Sequence, residues 1–364
     1  LPPIGIIGFQ RSTQSGTGKE YDMGFWGWLA KAFAHQRSFA EVAKAIETNE
    51  PEVLRATATA AFGQKERSGK VPAHVAAILG RAECLRAIAE IAPKTLGARD
   101  DNGTTPAYVA AVGGFTDCLE VIAEAAPESL GHDSKGGTPA FMPALKGFTE
   151  CLRIIASHAP DCLRRPGLDG MLPAHAAAQE GHDDCLRVIA AHAPESLGLH
   201  GKGGGTAALL AAGHGRAGCL RLIADQCPDS LGRSCGEAGT PAFFAGLGGH
   251  NDCIRILAGV SPDLLKTGDH QGRNAAIGAV IGGKADTLRL IHELCPQAIL
   301  SPAMGGVTCA YVAAEKGEDA CLEVIADCAP ATLRKATDEG QSPIEIARRK
   351  GNTRCVEILE RHLA

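Results

Sequence analysis

The stretch GHDDCLRVIAAHAPESLG, Gly181–Gly198, sets a cysteine beside two aspartates and two histidines. Alone, it invites a metal or catalytic reading. Along the chain it becomes a period. GRAECLRAIAEIAPKTLG begins at Gly80, GFTDCLEVIAEAAPESLG at Gly114, GFTECLRIIASHAPDCLR at Gly147 and GEDACLEVIADCAPATLR at Gly317. The cysteine recurs as Cys84, Cys118, Cys151, Cys185, Cys219, Cys253, Cys321 and Cys355, with Thr287 in the one empty slot, in steps of 34 residues and a single step of 33. Nine units at one period predict a stacked solenoid, in which each unit buries its apolar face only against its neighbours.

Each unit divides into three parts. In Asp100–Asp133 the DDNGT stretch is a glycine-containing turn. TPAYVAAVG predicts a short helix, with Thr105 as its cap and Pro106 at the first helical position, where the missing N–H is harmless. After Gly114, TDCLEVIAEAA predicts a second helix whose Cys118, Leu119, Val121, Ile122 and Ala125 form one apolar stripe, stopped by Pro127. The fold class is therefore all-α, a curved stack of helix-turn-helix units with projecting finger turns. Units five and seven lack the helix-starting proline, unit seven has Gly278 inside its first helix, and unit three has Pro143 inside its own. These three units are expected to be softer or locally bent.

The motifs DDNGTTPAYVAAVGGF, GLDGMLPAHAAAQEGH and DEGQSPIEIARRKGN resemble ankyrin repeats, whose core reads D-x-x-G-x-T-P-L-H-x-A-A-x-x-G-H. The resemblance runs from about Gly69 to the C-terminus. The units are one residue longer than usual, with the APESLG segment extending the second helix. The domain reading is an apolar, Trp-rich arm over 1–37, a degenerate capping repeat over 38–68, and nine repeats over 69–364, the last a polar cap carrying Arg348, Arg349, Lys350, Glu357, Glu360 and Arg361.

Composition narrows the function. Across 364 residues, 45% are hydrophobic but only 4% aromatic, which suits closely stacked small elements. The net charge of −5 gives no basic surplus for phosphate contacts, so no nucleic-acid partner is expected. No apolar run reaches the roughly 18 residues of a transmembrane span. Start at Leu1 suits a segment left after a targeting sequence is removed.

The cysteine column is not expected to carry chemistry. Equivalent positions on stacked helices lie about 8–10 Å apart, beyond the roughly 7 Å limit for a disulfide. No C-x-x-C occurs, so the common zinc spacing is missing. Cys is read as a small buried hydrophobe, and many unpaired thiols imply a reducing intracellular compartment, either cytoplasm or an organelle stroma or matrix after transit-peptide removal. His74 and His175 occupy the T-P-L-H slot, and His182 and His250 follow a turn glycine. No Ser/His/Asp or paired-carboxylate group stands outside the repeat. No enzyme activity, cofactor or metal is expected.

The resemblance implies protein–protein recognition through the finger tips and the concave face. In T-P-L-H-x-A-A-x-x-G, the two residues before the glycine point into the concavity. Here they include Ile78, Leu79, Val112, Leu145, Lys146, Gln179, Glu180, His214, Leu247 and Ile281, with tip residues Leu168, Met171 and Met304. The slot is unexpectedly apolar, broken at Gln179 and Glu180. Two readings stay open: an exposed stripe for an extended apolar segment or a protein surface, or residues shielded by tighter packing of the longer units. The arm, with Phe25, Trp26 and Trp28, leaves three readings open: folded back on the repeats, inserted into a partner, or lying on a membrane surface. Two functions follow from these features. One is an interaction scaffold, or adaptor. The other is a constitutive subunit of a large organellar, membrane-associated complex.

Overall fold

The computed structural model describes residues 37–57, 59–167, 170–233 and 239–364. Unit four shows the build. Its first helix is Pro173–Glu180, its second Asp183–His192, and a 3₁₀ turn, Pro194–Gly198, follows. Helices of eight and ten residues are too short to persist alone, so packing between units must hold them. First helices stack on first helices and second on second along the chain.

A third element follows the second helix. Proline opens the 3₁₀ turn at its first position. Ser129 and Ser196 each donate a 2.7 Å hydrogen bond to the carbonyl that ends the second helix. The turn then drives a fully buried side chain into the stack: Leu96, Leu130, Leu163, Leu197, Leu231, Leu265, Ile299 and Leu333 form one column. Each such side chain contributes about 1.5–3 kcal/mol by leaving water.

Turn glycines join the two helices. Gly181 ends its helix with φ of 85°, a left-handed conformation that favours residues without Cβ. The missing side chain has a second use. A Cβ there would lie 2.8 Å from Arg216, whose Nε donates to the Gln179 carbonyl at 3.0 Å. His250 lies over Gly215 and reaches the Gly213 carbonyl in the same way. Arg81, His182 and Asn352 reach the Glu47, Leu145 and Ala314 carbonyls likewise, whereas Phe115 and Phe148 fill the space over Gly80 and Gly114 without such a bond. Ahead of unit one, helices Arg37–Glu47 and Pro51–Arg55 meet at Asn49, which takes the left-handed conformation with φ of 58°.

Units three and seven show how two of the sequence irregularities are accommodated. In unit seven, Gly278 does not break the helix, which runs unbroken over Ala275–Ile281. Gly278 is buried, and a Cβ there would stand 2.2 Å from the Phe243 carbonyl oxygen. Gly246 and Gly282 face Ala275 and Leu247 carbonyls equally closely. These glycines let two helices touch backbone to backbone. In unit three the helix starts late, at Phe141, so Pro143 falls in its first turn, where no intrahelical N–H is needed. The chain adapts by moving the helix start rather than kinking its middle.

Candidate interaction surface

The finger turns are built by local hydrogen bonds. Asp100 Oδ1 accepts from the Asn102 and Thr104 amides at 2.9 and 2.8 Å, and Asp269 does the same for Gln271 and Arg273. Successive fingers then bond to each other. Asp101 N donates to Ser68 O, Lys135 N to Asn102 O, Lys202 N to Gly170 O, Met304 N to Gln271 O and Asp338 N to Gly305 O, all at 2.8–3.1 Å. These bonds join the fingers of units one to three, four to five and seven to nine into rims beside the first helices.

Under the rim, the residue three places after the cap reaches the next finger in several units. His74 and His175 do this in units whose cap is apolar. The ring Nδ1 accepts from the Val71 or Leu172 amide, and Nε2 donates to Thr104 O at 2.9 Å or Leu199 O at 3.2 Å. Units two, six and eight instead cap with Thr105, Thr240 and Thr308 and place Tyr108, Phe243 and Tyr311 at this position. Phe243 takes the Arg273 guanidinium over its ring at 4.9 Å, and Tyr311 donates to Gln341 at 2.9 Å. Burial holds the His175 pKa down to about 4, so its imidazole is neutral at pH 7.

The predicted groove residues are less open than expected. Ile78, Leu79, Val112, Leu145, Leu247 and Ile281 are half-buried, and Leu79, Leu247 and Ile281 pack on the core. Stacking of neighbouring first helices shields this slot. Lys146 is exposed, donates to the Val112 carbonyl at 3.0 Å and lies 5.7 Å from the Phe148 ring centre. Gln179 donates to Glu180 at 3.0 Å, and His214 Nδ1 meets Leu210 O at 2.9 Å. Met171 is half-buried, while Met304 is 71% exposed at its finger tip. Phe25, Trp26, Trp28 and Leu168 lie outside the described residues. The slot three residues before Val112, Leu145, Gly213 and Leu247 adds Val109, Met142, Leu210 and Phe244, all half-buried. Sequence reasoning passed over them, although their shared place four residues after the cap was visible in the repeat.

The cysteine column is buried and unreactive in character. Thirteen free thiols are present among the described residues. Burial raises Cys118, Cys253 and Cys321 to about 12, so no thiolate is available near pH 7. The column instead bonds backward. Cys219 Sγ lies 3.0 Å from Asp183, Cys151 3.5 Å from Thr116 and Cys185 3.4 Å from Thr149. Thr287 donates to Asn251 at 2.7 Å in the same register. Among the described residues, no group of three or more His, Cys, Asp or Glu converges on a metal-sized site, and no helix is long and apolar enough to cross a membrane.

No protein-family model and no curated protein matches the chain. Solved structures do. The ankyrin repeat domain of Bcl-3, described as a unique member of the IkappaB protein family, superposes with a TM-score of 0.51 at 19% identity, covering 62% of this chain and 99% of that one. The human ASB11 ankyrin repeat domain gives a TM-score of 0.49 at 16% identity, covering 62% and 97%. The fold is an ankyrin-repeat solenoid, lengthened beyond the Bcl-3 domain.

Proposed function

We propose that this protein is a non-catalytic scaffold that binds a protein partner along the groove between its fingers and first helices. The observation that carries the reading is the groove's composition. Val109, Val112, Met142, Leu145, Phe244, Leu247 and Ile281 are half-buried apolar residues at recurring slots of the first helices, and Met304 is exposed in a finger. A set of this kind fits an extended apolar segment, with Gln179 and Glu180 as its polar interruption. The buried, unpaired thiols fit a reducing compartment, either cytoplasm or an organelle interior.

Leu145 is the best test site, because it is half-buried without being packed on the core. Leu145→Asp is expected to abolish most partner cross-links in native extract, read by mass spectrometry, with a stability loss under about 1 kcal/mol. Unchanged cross-links from the variant would remove the groove from consideration. Migration of the native protein in a large complex, rather than in a small adaptor assembly, would favour the constitutive-subunit role.

A further inference from the structure

On the outer face, formed by the second helices, six units carry an arginine two places after the column residue, and two adjacent ones of the six leave it without an ion pair among the described residues. In units one, three, four and seven an exposed arginine two places after the column residue pairs with an acid three residues before it: Arg86 with Glu83, Arg153 with Glu150, Arg187 with Asp184, Arg289 with Asp286. In unit five Gly218 replaces the acid, and Arg221 makes no ion pair among the described residues. Unit six keeps the acid as Asp252, yet Arg255 does not pair with it. Both arginines instead border one depression of about 320 Å³, together with Ala224, Asp225, Ile256, Gly259 and Val260.

The floor of this depression is apolar. Val260 is 45% exposed, one of the few large apolar side chains so open among the described residues. Gly259 takes the slot that holds Glu90, Glu124, Asp225, Glu293 or Asp327 elsewhere, which removes the polar cover. Two unpaired guanidinium groups thus flank an uncovered apolar patch. Adjacent helices pack about 8–10 Å apart, and two residues seven apart on a helix are separated by about 10.5 Å.

We propose that this depression is a second docking surface, on the outer face, for a helix of a protein partner that offers one bulky apolar side chain between two carboxylates two turns apart. The apolar side chain seats on Ile256 and Val260, and the carboxylates pair with Arg221 and Arg255. Asp225, on the wall, opposes an incoming carboxylate. The surface is separate from the finger-side groove and stands without it.

The probe is a fluorescein-labelled, alanine-rich helical peptide with two glutamates seven residues apart and a leucine four residues after the first. Fluorescence anisotropy with the full chain at low salt is expected to give saturable binding. Arg221→Glu with Arg255→Glu should weaken it about tenfold or more, and Val260→Ser about threefold, while Asp225→Asn tightens it. The charge-matched pair Arg153→Glu with Arg187→Glu, and Leu145→Asp, should leave it unchanged. All substituted positions except Leu145 are exposed or at the depression's edge, and circular dichroism confirms that each variant folds. Equal weakening by the charge-matched pair would reduce the effect to diffuse attraction and overturn the proposal. So would absence of saturable binding by the unaltered chain at concentrations up to about 1 mM. Sedimentation showing a dimer that Arg221→Glu with Arg255→Glu dissolves would give the surface to a second copy instead.

Discussion

The joint between units four and five and the joint between units six and seven close the same fold by opposite means. The first is held by polar side chains. His175 bridges Leu172 N and Leu199 O, Arg216 caps Gln179 O, and Cys219 meets Asp183. The second brings backbone against backbone, with Gly246, Gly278 and Gly282 facing Ala275, Phe243 and Leu247 carbonyls. A side-chain joint depends on protonation and can be re-engineered chemically. The glycine contacts of the second joint depend on the absence of Cβ atoms, so they tolerate acid but no added volume, and they stand beside the Arg273–Phe243 and Thr287–Asn251 contacts of the same joint.

The largest effect expected is at the backbone joint. Gly278→Val places carbon within 2.2 Å of the Phe243 carbonyl, and should cost about 3 kcal/mol or more despite the better helix propensity. Urea unfolding measures this. Gly213→Ala is the control, since its Cβ would meet Phe244 Cβ at an ordinary 3.4 Å. Equal costs at both sites would end the contrast between the two kinds of joint.

Acid comes next, and it should act on the polar joint. Unfolded His175 binds its proton near pH 6.5, whereas in the fold burial delays this to about pH 4. The unfolded state therefore holds more protons between those values. The stabilisation is complete above about pH 6.5 and is lost as pH falls toward 4, by about 2 kcal/mol at pH 5. Buried His74 shifts the same way. Leu172→Thr with His175→Tyr copies the chemistry of unit two and should remove the His175 share of the loss, about 2 kcal/mol at pH 5, read as the urea midpoint at pH 7 and pH 5.

The smallest effect separates the column's two polar arrangements. Thr287→Val strips Asn251 of its 2.7 Å donor and should cost about 1–2 kcal/mol, while Thr287→Cys, which restores the column's usual residue, should cost less than about 1 kcal/mol in thermal unfolding. A neutral Thr287→Val would mean that the hydroxyl contributes nothing to this joint.

Much of the fold was legible because its signals are local. Glycine at the turn, proline at helix starts and Thr105 as a cap act within a few residues; the glycine recurs in all nine units and the other two in several. The column residue was legible as buried, but its backward bonds to Thr116, Thr149, Asp183 and Asn251 were not, because the partner lies one unit away. Gly278 misled for the same reason: within its own helix a glycine signals weakness, and only Phe243 shows it to be a contact. The candidate groove was legible in position but not in openness. Leu145 and Leu247 occupy equivalent slots, yet only Leu247 packs on the core.

By itself, then, the sequence determined the period, the three-part unit, the caps and most of the buried stripe, since each rests on interactions between residues close in the chain; Ala125, read as part of the stripe, is exposed, and Ala123 is buried in its stead. The tertiary structure alone decided how near neighbouring units approach, which side chains that approach covers, and which arginines it leaves without partners. Those outcomes depend on two surfaces about one repeat apart meeting in space, and small differences in side-chain size at the joint shift them.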